Sequence, residues 1–170
     1  MDFISRTNYE VHKEHLRTLK LKMSIFEKSY PEITGKSCRE ILRAPIQRPE
    51  REAAAALKAD ILAHELYFSS YSSNNTTSER VRTTYGSEAN FIYLLSRAST
   101  DGEGFLFVST DRRGEASFAA YKEPLSAFLS SDTPRLALDL CEHAYFYDYL
   151  FDKESYVKSA LAALDLSRLK

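Results

Sequence analysis

The chain has no tryptophan, only two cysteines, and no apolar run approaching the length of a membrane span. Cys38 and Cys141 are too few and too far apart for a disulfide framework or a cysteine-based metal or redox motif. A charge excess is missing too: 23 basic side chains stand against 24 acidic ones, well mixed, for a net charge of -1. That balance removes nucleic acid and acidic membrane surfaces as default partners. Lys13, Arg17, Lys20 and Lys22 read as the solvated face of a first helix rather than as a binding stripe. The opening Met1-Asp2-Phe3 lacks a basic and apolar leader, so a cytoplasmic protein is the expectation. No internal repeat or low-complexity tract is present. At 170 residues the chain can bury a substantial core, as one domain or as two small layers sharing one site.

Periodicity predicts a helix over 5–29, capped by Ser5, with Tyr9, His12, Leu16, Leu19 and Met23 recurring at three and four. The segment from Tyr30 to Gly35 breaks it, and Ser37-Cys38-Arg39-Glu40 reads as the cap and first turn of a short helix. Pro45 and Pro49 frame a loop. A second long helix follows from about Glu50 to Tyr71, with Leu57, Ile61, His64 and Phe68 on its inward face. Together these make an antiparallel helical hairpin. The polar stretch from Ser72 to Thr77 is the expected boundary, dividing a helical part (1–73) from an α/β part (74–170) with a site between them. Ser87 opens a further helix to about Ala98. Three strands follow, at 105–109, 115–121 and 134–139, the first two joined by a turn at Arg112-Arg113-Gly114. Helices are expected from His143 to Leu150 and from Glu154 to Leu166. The fold class is therefore α+β, a helical hairpin followed by a three-stranded antiparallel sheet with helices.

Chemistry concentrates in Asp139-Leu140-Cys141-Glu142-His143-Ala144-Tyr145, after the apolar run Leu136-Ala137-Leu138. A carboxylate and an imidazole four residues apart at a strand-to-helix junction, in apolar surroundings, need a strong partner. His12 and His64, on the inward faces of the two long helices, are available at a distance. Two readings stand side by side. Asp139 either caps the following helix or ligates a metal, and His12 and His64 are either satisfied core histidines or ligands. Three imidazoles and one carboxylate would suit a first-row metal ion.

These segments resemble the iron/manganese superoxide dismutase family. The run from Leu138 to Phe146 is similar to the family signature Asp-Val-Trp-Glu-His-Ala-Tyr-Tyr, and Tyr149 through Lys158 continues the likeness, with Tyr156 near the place of the family's aspartate-tyrosine pair. Tyr9-Glu10-Val11-His12 resembles the ligand turn of the first helix, and Ala63-His64-Glu65-Leu66-Tyr67-Phe68 that of the second. Gly102-Glu103-Gly104-Phe105 resembles the lead into the first strand, Gly-Ser-Gly-Trp. The resemblance implies one iron or manganese ion per subunit, held by His12, His64, Asp139 and His143. It implies dismutation of superoxide to oxygen and hydrogen peroxide. It also implies a homodimer in which Glu142 meets His143 of the partner subunit. The alternative reading is a superoxide-dismutase-like metal protein with another redox role, or a structural or interaction role.

Departures from the family pattern lie around the ligands rather than among them. Leu16 and Lys20 stand where the family has a pocket histidine and a gateway tyrosine, and Phe146 where it has the tyrosine that bonds that histidine across the dimer. Losing both members of a bonded pair costs far less than orphaning one. Asp60 occupies the place of the iron-type glutamine that orients metal-bound water, and no glutamine or histidine appears around Ala120 to Pro124, where the manganese type carries its own. Asp60, Lys20 and Glu142 are thus the expected catalytic and supporting residues, with Asp60 either protonated, paired with Lys20, or bonded to metal-bound water. Leu62, Phe105 and Cys141 stand where tryptophan is usual.

Overall fold

The computed structural model describes residues 3–72 and 77–169; the expected boundary at 73/74 lies outside the described residues. Helix α1 (Arg6–Ser29) starts where the Ser5 hydroxyl accepts a hydrogen bond from the Asn8 amide at 3.1 Å. It buries Asn8, His12, Leu16, Leu19 and Met23, one stripe at helical spacing. It stops at Tyr30, before Pro31, and a single 3-10 turn (Pro31–Ile33) follows. Ser37 and Glu40 form a reciprocal capping box that opens α2 (Cys38–Ile41).

Helix α3 (Arg48–Ser69) begins earlier than expected. Pro49 does not frame a loop but sits in the first turn, where its missing N–H leaves nothing unpaired. The small Ala54, Ala55, Ala59 and Ala63 let α3 approach its neighbours closely. Tyr9 meets Phe68, His12 meets His64, and Leu16 shares a core cluster with Ile61, so α1 and α3 run antiparallel.

Helices α4 (Glu79–Tyr85) and α5 (Glu88–Thr100) each start on a serine cap, Ser78 and Ser87. The strands β1 (Phe105–Thr110), β2 (Ala116–Tyr121) and β3 (Thr133–Asp139) form an antiparallel sheet in the order β2-β1-β3. In the β1–β2 turn the Asp111 carboxylate accepts from the Arg113 and Glu115 amides, both at 2.8 Å, and Gly114 takes a φ of +83° that L side chains avoid. Helix α6 (Leu125–Leu129) links β2 to β3. After the sheet come α7 (Phe146–Tyr149) and α8 (Lys153–Ala162).

Two of these elements, α4 and α6, carried no sequence signal strong enough to be expected. The expected helix from His143 to Leu150 is in fact broken into a 3-10 turn (Glu142–Ala144) and α7, with Tyr145 outside helical geometry between them. The expected helix to Leu166 ends at Ala162, and a 3-10 turn (Leu166–Arg168) replaces its last part.

One core cluster lies between α1 and α3, around Leu16, Leu19, Met23, Ile33, Ile41 and Ile61. The other joins the C-terminal end of α3 to the sheet and to α5 and α8, around Tyr67, Phe91, Leu106, Phe107, Leu136, Leu138 and Tyr156. Ser70 fastens this second cluster. Its hydroxyl accepts from the Ala137 amide at 2.8 Å and donates to the Leu66 carbonyl at 2.7 Å, so the end of α3 is pinned to β3. No helix among the described residues is long and apolar enough to cross a membrane.

Candidate metal centre

Four elements deliver one side chain each to a single buried point: His12 from α1, His64 from α3, Asp139 from the end of β3, and His143 from the 3-10 turn after it. One potential ligand atom from each lies within 4.8 Å of every other. Asp139 Oδ2 is 2.9 Å from His143 Nε2, 3.2 Å from His12 Nε2 and 3.6 Å from His64 Nε2. His64 Nε2 and His143 Nε2 are 3.3 Å apart.

Each ligand is held from behind. β1 pairs Phe105 with Asp139 and sets the height of the carboxylate on the sheet. Its Oδ1 accepts from the Cys141 amide at 2.9 Å, and the Asp139 carbonyl accepts from the Tyr156 hydroxyl at 2.8 Å. That leaves Oδ2 to face the imidazoles. His64 Nδ1 donates to the Asp60 carbonyl at 2.7 Å, which fixes the tautomer with a free lone pair on Nε2. The ring of His12 is packed by Tyr67 and Phe68 at centroid distances of 4.7 and 4.9 Å. The Asn8 side chain donates to the Ala144 carbonyl, and the Ser5 amide to Asp148 at 2.7 Å, so α1 grips the segment that carries His143.

The electrostatics point to a positive ion at the centre. Burial alone would raise the carboxyl pKa of Asp139, but the His12 and His143 imidazoles beside it outweigh that and hold the group well below the usual carboxylate range. Burial lowers His64 to about 4, with Asp139 offsetting only part of the effect, so its ring is neutral. For His143, burial pulls the pKa down, yet the bond and charge of Asp139 prevail and raise it. His12 Nε2 and Nδ1 are both buried with no hydrogen-bond partner. A buried anion, a neutral imidazole aimed at it and an orphaned imidazole nitrogen converging on one point are the donor set of a metal ion. Helix capping alone would not draw three imidazoles to Asp139.

The supporting residues fall out unevenly. Asp60 is half-buried beside the cluster, and burial, then Asp139 and Glu123, raise its pKa. Lys20 does not pair with it: Lys20 Nζ is 2.7 Å from Glu65 Oε1, because the acid following His64 on α3 is the one that faces that turn of α1. Glu142 is exposed, one residue from His143. Cys141 bonds the Gly104 carbonyl through Sγ at 3.7 Å, and burial and Asp139 push its thiol up to about 12. Both cysteines are free. His15 is a residue that reading the sequence passed over. Its ring stacks on His143 with centroids 4.5 Å apart and lies 5.0 Å from His64. Burial, then the neighbouring His143 and His12, lower its pKa. Its spacing of three from His12 on one helix was the available signal.

A helical hairpin and a three-stranded sheet clasp a buried three-histidine, one-aspartate cluster, a nitrogen and oxygen donor set consistent with a single transition-metal ion. Residues 73–170 match the family model for iron/manganese superoxide dismutases, C-terminal domain. The match spans more than half of the chain, which therefore belongs to the iron/manganese superoxide dismutase family.

Proposed function

We propose that the chain binds one iron or manganese ion through His12, His64, Asp139 and His143 and uses it to dismutate superoxide. The observation that carries this reading is the convergence of those four ligand atoms within 4.8 Å at a buried point. When bound, the metal supplies reversible one-electron chemistry, so that two superoxide anions and two protons give oxygen and hydrogen peroxide. The protein residues supply the rest. Asp139 is the one carboxylate of the set, so a bound divalent or trivalent ion would keep a net positive charge there to attract an anion. The His64 bond to the Asp60 carbonyl and the Asp139 bond to the Cys141 amide hold two ligands in register without moving parts. The Asp60 carboxyl, its pKa raised, is the nearby group that can hold or release a proton at its oxygen atoms. Lys20 pairs with Glu65, which offsets its charge toward an incoming anion.

A homodimer is part of the same proposal. Phe146, Tyr147, Leu150 and Phe151 are exposed apolar side chains next to Glu142 and to His143, the most exposed of the four ligands at 33% of its side chain. Covering that patch with a second copy would bring Glu142 to His143 of the partner subunit. A Phe151→Ser/Glu142→Ala variant that remains the same size as the wild type in light scattering, whether one chain or two, would count against it.

The second reading, a metal protein with another redox role, is favoured by Asp60. An Asp60 anion beside the cluster would repel an incoming anion. The experiment that separates the two readings loads the purified chain with iron or manganese and follows superoxide decay directly, alongside an equally loaded Asp60→Gln variant. Activity in either loaded protein, absent from the metal-free one, supports dismutation. Full metal occupancy with no activity in either favours the second reading.

A further inference from the structure

His15 stands one turn beyond His12 on α1 and lies outside the four-residue cluster, yet its ring is spaced as the ligand rings are. The three cluster imidazoles have centroid separations of 5.2, 4.9 and 5.5 Å. His15 lies 4.5 Å from His143 and 5.0 Å from His64, within or below that spread. It contacts those two rings rather than the Asp139 carboxylate, whose Oδ2 is surrounded by His12, His64 and His143.

Among the described residues, other sides of the cluster have identified neighbours. Tyr67 and Phe68 back His12, Phe105 backs His64 at 5.1 Å, and Cys141 and Tyr156 bond Asp139. His15 stacks on His143, the most exposed ligand. Among the described residues nothing hydrogen-bonds its ring nitrogens. Four protein donors would leave a bound ion room for a further ligand, and the one imidazole outside the cluster that touches its rings is His15.

We propose that His15 is an exchangeable fifth protein ligand, which closes the metal's remaining position in the resting protein and yields it to small anions. The inference rests on the metal-binding reading above and adds a regulation of that site. The exchange is a ligand substitution only: a neutral imidazole lone pair leaves the ion and an anion lone pair takes its place, with no electron or proton transferred. In this structure the His15 nitrogens lie outside the cluster, so ligation requires the ring to turn toward it while α1 stays in place. An internal competitor lowers apparent anion affinity by the fraction of time the site is open; a site closed about nine-tenths of the time binds about tenfold more weakly. Such a site takes up superoxide slowly when the anion is scarce and still retains its metal.

The test uses the full chain loaded with ferric iron, azide as the small anion, and three proteins: wild type, His15→Ala and His15→Phe. Metal content, the visible charge-transfer spectrum and the azide dissociation constant are measured for each. Phenylalanine keeps a ring stacked on His143 but has no nitrogen, so it separates ligation from packing. The expected result is that both variants retain iron, both show a shifted spectrum before azide is added, and both bind azide about tenfold more tightly than wild type. A His15→Phe protein with wild-type spectrum and azide affinity overturns the inference, and so does a His15→Ala protein that differs from wild type in neither. Should the wild type take up no iron or manganese, the metal-binding reading itself fails, an outcome the metal analysis shows before any azide is added.

Discussion

Acidifying the metal-free protein should destabilise it through His64. The side chain is 3% exposed, and burial, offset in part by Asp139 and by the bond to the Asp60 carbonyl, lowers its pKa to about 4. In the unfolded chain the same ring titrates near 6.5. Between these values the unfolded state takes up a proton that the folded state refuses, so stability is complete above about pH 6.5 and falls steadily to about pH 4. The gap corresponds to about 3 kcal/mol, a large share of the roughly 5–15 kcal/mol that holds a domain folded. His143 works in the opposite sense. Its pKa is raised by Asp139 against the effect of burial, so its contribution is complete below about pH 6.5 and is lost as pH rises through the folded value. Its effect therefore falls on the alkaline side of about pH 6.5 and leaves the acid limb to His64. The assay is urea denaturation of metal-free protein, followed by far-ultraviolet circular dichroism across that interval, for wild type and His64→Gln. The variant should lose most of the slope. A wild-type curve that is flat or rises toward acid, or a variant with the wild-type slope, would refute the reasoning.

Replacing Tyr156 with phenylalanine removes the 2.8 Å hydrogen bond to the Asp139 carbonyl inside the core. Unfolding free energy should fall by about 1–3 kcal/mol, read by thermal and urea melts, and iron retention should weaken with it; unchanged melts would contradict the assigned bond. Gly104→Ala should be worse than its size suggests. Gly104 has a φ of +72°, and a Cβ there would run into the backbone carbonyls of Tyr121 and Lys122, so a loss of at least about 2 kcal/mol is expected in the same melts. Asp60→Gln should keep the metal and raise dismutation about tenfold, the effect of removing about 1–2 kcal/mol of repulsion toward an incoming anion. Equal rates in fully loaded proteins would remove Asp60 from the proton and anion path.

The residue pattern points to the candidates but leaves each open, Asp139 as cap or ligand and His12 and His64 as core histidines or ligands; the resemblance to the superoxide dismutase family implies the four as one set. Asp139 and His143 are four apart across one junction, while His12 and His64 each sit on an apolar stripe whose period is clear. The two long helices were legible from that period. What escaped depends on how the elements meet. His15 lies beside the buried stripe of α1, and only the crossing of α1 over α3 brings its ring onto His143 and His64. The partner of Lys20 is decided by the same crossing, which presents Glu65 rather than Asp60. Helices α4 and α6, of seven and five residues, are too short to show periodicity and owe their existence to packing. The helix expected from His143 is interrupted at Tyr145, where the chain places His143 against Asp139 and still docks α7 on α1. A tertiary requirement overrides helix propensity at that point.

The measurement that bears most directly on the central claim is metal content by mass spectrometry of the purified chain, wild type beside Asp139→Ala, after expression with iron and with manganese. Asp139 contacts all three imidazoles and carries the site's only buried negative charge. The wild type should hold about one iron or manganese ion per chain and the variant almost none, while remaining folded by circular dichroism. A wild type that emerges without metal, or a variant that keeps as much as the wild type, would contradict the assignment of His12, His64, Asp139 and His143 as the metal's ligands.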